Sequence, residues 1–148
     1  MSTYKQSIPQ ADTLMGSMRS MGYSFEAAIA DVIDNSISAN CNVVKLFFPS
    51  EPTDELVVGI LDDGDGMSAD VLFEAMRYGS TDSELERQVN DLGRFGLGMK
   101  SASLSQCRIL TVVSLHEGNL SSYSWDFNCI QKRKEWVVKE LEQREIKK

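Results

Sequence analysis

In the segment Asp31-Val-Ile-Asp34-Asn35, Asp31 and Asn35 stand four residues apart. On a helix that spacing puts both side chains on one face, one turn from each other. The Asn amide offers a neutral oxygen suited to Mg²⁺, which takes few protein ligands and fills its shell with phosphate and water. A carboxylate one turn away can accept a proton from a water attacking phosphate. Glu26 cannot replace Asp31, because five residues at about 100° each carry it roughly 140° around the helix. Alone, the pair reads more readily as a solvated helix face.

A second segment, Asp62-Asp-Gly64-Asp-Gly66-Met67, follows the apolar run Leu56 to Leu61. Gly64 and Gly66 permit a tight turn and let a flat ring approach the backbone. Asp62, at the end of the run, can accept a hydrogen bond from an exocyclic amine such as adenine N6, and Met67 supplies a polarizable surface for the ring. A calcium loop is excluded. Counted from Asp63, the fifth position is Met67, and Ser68 stands where the sharp turn requires Gly. In isolation the segment reads as a plain turn.

The third segment, Gly93-Arg-Phe95-Gly96-Leu-Gly98-Met-Lys100-Ser101, imitates a Walker A loop, but Met99 separates the last Gly from Lys100, and a long polar stretch precedes it where a strand is needed. A Rossmann fingerprint fails too, since Ser101 falls where the third Gly belongs. What remains is Gly96 and Gly98 exposing backbone amides at a helix start, where the dipole favours phosphate oxygens. Lys100 points either at phosphate or at solvent. In this order the three segments supply parts to hold a metal, a base and a polyphosphate: a nucleotide site.

The elements that must position them can be read from periodicity. Leu14, Met15, Met18 and Met21 recur at helical spacing between Ala11 and Met21, a stripe better suited to a core than to binding. Ser24 can cap a second helix to about Ala39, with Phe25, Ala28, Ile29, Val32, Ile33 and Ile37 available for burial. Val43 to Phe48 predicts a strand stopped by Pro49, and Leu56 to Leu61 a second strand running into Asp62. Ser68 caps a third helix with Asp70 in its first turn and Val71, Leu72, Ala75 and Met76 on its buried side. Gly79 to Asp91 is polar, with only Leu85 and Val89 apolar, as functional loops often are. A helix from Gly96 to Ser105 follows, then strands Ile109 to Leu115 and Leu120 to Phe127 around a turn at His116 to Asn119. His116 is expected to be a solvated turn residue rather than a phospho-acceptor. Residues 130–148 predict a charged helix touching the core through Ile130, Val137 and Leu141; it reads equally as a solvated or a partner-binding surface.

At 148 residues the chain is expected to form one domain, 1–148, without repeats or linkers. Its 42% apolar and 25% charged content is that of a globular protein. A net charge of −7 does not support a nucleic-acid surface, although backbone amides and Mg²⁺ can bind anions locally. Cys41, Cys107 and Cys129 are odd in number and lack metal-ligand spacing, as in reduced cytosolic proteins. No run has signal-peptide or membrane-spanning length, so the expected location is the cytoplasm, or the nucleus of a eukaryote, with no membrane partner.

The order Asp-x-x-Asp-Asn, Asp-Asp-Gly-x-Gly-Met and Gly-x-Phe-Gly-x-Gly-x-Lys-Ser, over about residues 24–106, resembles the GHKL ATPases. These include topoisomerase ATPase subunits, ninety-kilodalton heat-shock chaperones, MutL proteins, histidine kinases and MORC proteins. Phe95 and the Lys100-Ser101 pair look most like the chaperone and MORC branches. The resemblance implies the α+β Bergerat ATP-binding fold, a two-layer α/β sandwich with a mixed, mostly antiparallel sheet covered on one face by helices. It further implies ATP as ligand, Mg²⁺ on Asn35, adenine read by Asp62, and a base pocket lined by Gly64, Gly66 and Met67. Gly93, Phe95, Gly96, Gly98, Lys100 and Ser101 would close on the phosphates. Residues 79–93 would form a lid, which with the terminal helix could engage a protein partner or a second copy. Hydrolysing members usually carry Glu where Asp31 stands, and Asp is shorter by about 1.5 Å. The expected activity is slow ATP hydrolysis with Asp31 as base, in a nucleotide-switched module of a larger system. The alternative is a non-hydrolysing sensor. A later family strand bearing Thr is not found, and Thr111 comes too early for it, so the expectation is a domain truncated at its C-terminus or one whose last strands come from elsewhere.

Overall fold

Ser24 opens the longest helix of the computed structural model, which describes residues 5, 7–20, 22–52, 56–77 and 98–146. Its hydroxyl accepts from the Ala27 amide at 3.2 Å, one of the donors a helix start leaves unpaired. A first helix α1 (Ala11–Arg19) precedes it and buries Ala11, Met15 and Met18, the expected Met stripe. The capped helix α2 (Phe25–Ser38) buries only Ala28 and Ser36, while Phe25 and Ile37 are exposed, contrary to expectation. Phe25 lies instead beside the Phe48 ring, centroids 6.4 Å apart. Past α2, Asn40 takes a left-handed conformation that Asn tolerates better than most residues.

Strands β1 (Val44–Phe47) and β2 (Gly59–Asp62) form a two-stranded antiparallel ribbon in which Val44 faces Asp62 and Phe47 faces Gly59. Helix α3 (Ala69–Met76) is capped by Ser68 and buries Leu72 and Met76 completely. Helix α4 (Gly98–Gln106) packs against α2. Strands β3 (Ile109–His116) and β4 (Asn119–Asp126) make a hairpin whose two turn residues, Glu117 and Gly118, both have positive φ, the backbone that suits a twisted hairpin.

Asp126 caps α5 (Phe127–Arg133) by accepting from the Asn128 and Cys129 amides. β5 (Lys139–Glu140) pairs antiparallel with β4, and a single turn, α6 (Gln143–Ile146), ends the described chain. The charged helix expected over 130–148 is therefore corrected. Lys134 turns left-handed and ends α5, and Trp136, Val137 and Val138 pack extended against the core, Trp136 edge-on to Trp125 at 5.9 Å. Apolar burial by that run overrides the helix propensity of the charged residues around it.

The architecture is α+β, with helices and antiparallel sheets. Tyr123 and Trp125 alternate onto the face of β4 that meets Met15 of α1, Leu72 and Met76 of α3, Leu104 of α4 and Ile130 of α5. The Trp125 indole donates to the Met76 carbonyl at 2.8 Å, so the buried N–H is satisfied. Arg19 donates to the Leu104 and Cys107 carbonyls at the end of α4 and stacks on Phe127, tying α1 to that layer. All pairings among the described strands are antiparallel, in two separate sheets, β1-β2 and β3-β4-β5.

Candidate functional site

The second half of α2 carries Asp31, Asn35 and Ser36, and the end of β2 delivers Asp62 to the last of these. The buried Ser36 hydroxyl donates to Asp62 Oδ2 at 2.8 Å, and the Gly64 amide donates to Oδ1 at 2.9 Å. The carboxylate is thus held from both sides while still exposed, with lone pairs to spare for another donor. Ser36 is the residue that spacing missed. Ser following Asp-Asn gives no signal of its own, because its partner lies on a different element.

Asn35 donates its Nδ2 to the Asp31 main-chain carbonyl at 3.0 Å. A carbonyl can only accept, so the amide must present nitrogen there, and Oδ1 is left to a different partner. That arrangement suits a hard cation. The Asp31 carboxylate accepts from the Tyr23 hydroxyl at 2.8 Å. The bond to Asp31 raises the Tyr23 pKa, with desolvation and the negative charge of Asp31 adding to it. Tyr23 is held in turn by Gln106 of α4, whose Nε2 donates to its carbonyl at 2.7 Å.

The loop after Asp62 is seated on protein at each of its residues. Asp63 Oδ1 accepts from the Val43 and Asn42 amides at 2.8 and 2.7 Å, bonds that hold its carboxyl below the usual carboxylate range. Asp65 donates its amide to the Ala39 carbonyl, and its carboxylate accepts from Asn40 Nδ2 at 2.7 Å. A Cβ on Gly64 would lie 2.7 Å from the Ala39 carbonyl oxygen, and one on Gly66, at φ +69°, would overlap the Leu115 carbonyl. The space beside both glycines is therefore filled by backbone. Met67 packs partly against the core and donates its amide to Ser114 Oγ at 2.7 Å. His116 ends β3, and its Nδ1 lies 3.1 Å from the Asp65 carbonyl, so the turn residue expected to be solvated is tied to this loop.

Of the anticipated phosphate segment, Gly93, Phe95 and Gly96 lie outside the described residues, as does the lid at 79–93. Gly98, Lys100 and Ser101 stand in the first turn of α4, their side chains outside that description. The two other segments are brought together: Ser36 next to Asn35 meets Asp62, and Ala39 at the end of α2 meets Gly64 and Asp65.

The model of the histidine kinase-, DNA gyrase B- and HSP90-like ATPases matches residues 23–148. The chain belongs to this family. The match begins at Tyr23 and so takes in all three segments while leaving α1 outside. Membership in the histidine kinase-, DNA gyrase B- and HSP90-like ATPases makes ATP binding the chain's function at the level of the family, and accords with its helices and antiparallel sheets. Among the described residues, no helix is long and apolar enough to cross a membrane.

Proposed function

We propose that the chain binds ATP with Mg²⁺ between α2, the Asp62–Met67 loop and the start of α4, and hydrolyses it slowly as the nucleotide-switched module of a larger system. Asp62 accepts from the adenine N6 amine, with Gly64, Gly66 and Met67 along the base. Asn35 Oδ1 holds Mg²⁺, which when bound neutralises charge on the phosphate oxygens. Gly93, Phe95, Gly96, Gly98, Lys100 and Ser101 take the phosphates, and Asp31 accepts a proton from the attacking water. The free thiols of Cys41, Cys107 and Cys129 suit a reducing compartment, the cytoplasm or nucleus.

The observation that carries this reading is the Asp62 carboxylate, gripped by Ser36 and Gly64 yet open to solvent. An acid held in one orientation at the surface is organised to accept, beside an Asn amide oriented to offer its oxygen. One observation favours the alternative of a non-hydrolysing sensor. Asp31 is a short base already engaged by the Tyr23 hydroxyl, which competes with any water for that oxygen.

Calorimetric titration with Mg²⁺ and ATP, followed by single-turnover hydrolysis, separates them. The expected result is saturable binding, weakened about tenfold or more in Asp62→Asn, with slow turnover that Asp31→Asn abolishes. Binding with no turnover in wild type leaves the sensor. Absence of binding removes both.

A further inference from the structure

We propose that Ser114, at the end of β3, is a positioning residue for base recognition: its hydroxyl seats the Asp62–Met67 loop and thereby sets the aim of Asp62. The inference rests on the reading of Asp62 as the adenine acceptor and adds to it a residue on a different element, outside all three motif segments.

Three consecutive residues of the loop meet three consecutive residues of β3 in antiparallel order. The Asp65 carbonyl takes His116 Nδ1 at 3.1 Å, Gly66 lies against the Leu115 carbonyl, and the Met67 amide donates to Ser114 Oγ at 2.7 Å. Among the described strands, β3 lies at the edge of its sheet, with β4 on one side only. The loop therefore runs past a strand with no other neighbour among the described strands of that sheet, and two of the three contacts are made by side-chain atoms.

The choice of Ser at 114 is not explained by the core. Alternation along β3 puts Leu110, Val112 and Ser114 on one face, and Leu110 and Val112 pack against the hydrophobic cluster. The next position on that face would ordinarily be aliphatic. Instead it carries a hydroxyl only 6% exposed, which is unfavourable unless the group is bonded. Its bond goes to Met67, so the loop is what this buried hydroxyl serves. The other end of the loop is fixed at Asp62, where the Gly64 amide orients Oδ1. Releasing Met67 leaves the segment that carries Gly64 and Gly66 held only by its anchors at Asp63 and Asp65, and loosens the Gly64 amide, one of the two donors that aim Asp62.

Aim matters most for telling bases apart. Adenine presents an amine to Asp62, whereas guanine presents a carbonyl that the carboxylate repels. A misaligned Asp62 therefore loses affinity for ATP more than for GTP. The test is titration of wild type, Ser114→Ala and Ser122→Ala with ATP and with GTP, together with amide exchange at Met67. Ser122 is a suitable control. It is as buried, on the neighbouring strand, and bonds the Leu141 carbonyl away from the loop. The expected result for Ser114→Ala is faster Met67 exchange and ATP binding weaker by about tenfold, with GTP binding changed far less, so that base selectivity falls. Ser122→Ala keeps wild-type selectivity. Unchanged selectivity in Ser114→Ala, or equal weakening of both nucleotides in the two variants, overturns the inference while leaving the ATP site standing. Failure of wild type to bind ATP removes the underlying reading, and the inference with it.

Discussion

Asp62, Asp63 and Asp65 are one side-chain type within four positions, yet their surroundings give them different tasks. Asp62 is held by a hydroxyl and one amide and stays open. Asp63 is consumed by the Asn42 and Val43 amides and joins the start of β1 to the end of β2. Asp65 is paired with Asn40 past the end of α2. Because two amides lower the Asp63 pKa in the folded protein, its charged form contributes stability above the ordinary carboxylate value of about 3.9. That contribution is lost as pH falls through the lower folded value. Asp63→Asn should therefore lower the melting temperature at pH 7, and the gap to wild type should narrow on acidification below about pH 4. Thermal melts across that range check it, and a gap that persists undiminished in acid contradicts it. Asp62 was recognisable in the sequence as the residue closing an apolar strand before a glycine turn. Which neighbouring carboxylates are merely structural was not, since their partners Asn40, Asn42 and Val43 lie some twenty residues earlier.

Element boundaries were most readable where a local rule sets them. Ser24 and Ser68 bond the amides three residues on, as N-caps do, and α2 and α3 begin where the caps place them. The Glu117-Gly118 turn closes the β3–β4 hairpin where Gly signals it. The region after Ile130 misled because charged residues favour a helix locally, while burial of Trp136, Val137 and Val138 is decided by distant Trp125 and its neighbours. The seating of the loop on β3 was equally hidden. At Gly66 the left-handed backbone and the Leu115 carbonyl leave room for nothing larger than hydrogen at the side-chain position. Gly66→Ala should thus destabilise the protein by at least about 2 kcal/mol, from left-handed strain and overlap together. Gly16, inside α1, is a useful contrast, since a Cβ there meets open space. Gly16→Ala should stabilise by about 0.5–1 kcal/mol. Denaturant titration of both variants checks the pair, and a tolerated Gly66→Ala would refute the packing described.

At the scale of the whole molecule, the helices α1, α3, α4 and α5 share one core with the β3-β4-β5 sheet, while the β1-β2 ribbon meets the rest through α2 and the acidic loop. The candidate site lies at that junction. The order of the three segments was enough to anticipate an α+β ATPase of this family, because their combination is far more specific than any one of them. The described strands pair with their neighbours in the chain, β1 with β2 and β4 with β3 and β5, and periodicity does not report that these pairings fall into two separate sheets. A net charge of −7 is no obstacle to the proposed nucleotide site, since amides at the start of α4 and a cation on Asn35 would act at short range. The most direct measurement is a crystal structure of the full chain grown with Mg²⁺ and a non-hydrolysable ATP analogue. It should show the adenine amine on Asp62 and the metal on Asn35 Oδ1. An analogue bound elsewhere, or a junction closed by the protein's own side chains under saturating ligand, would contradict the account.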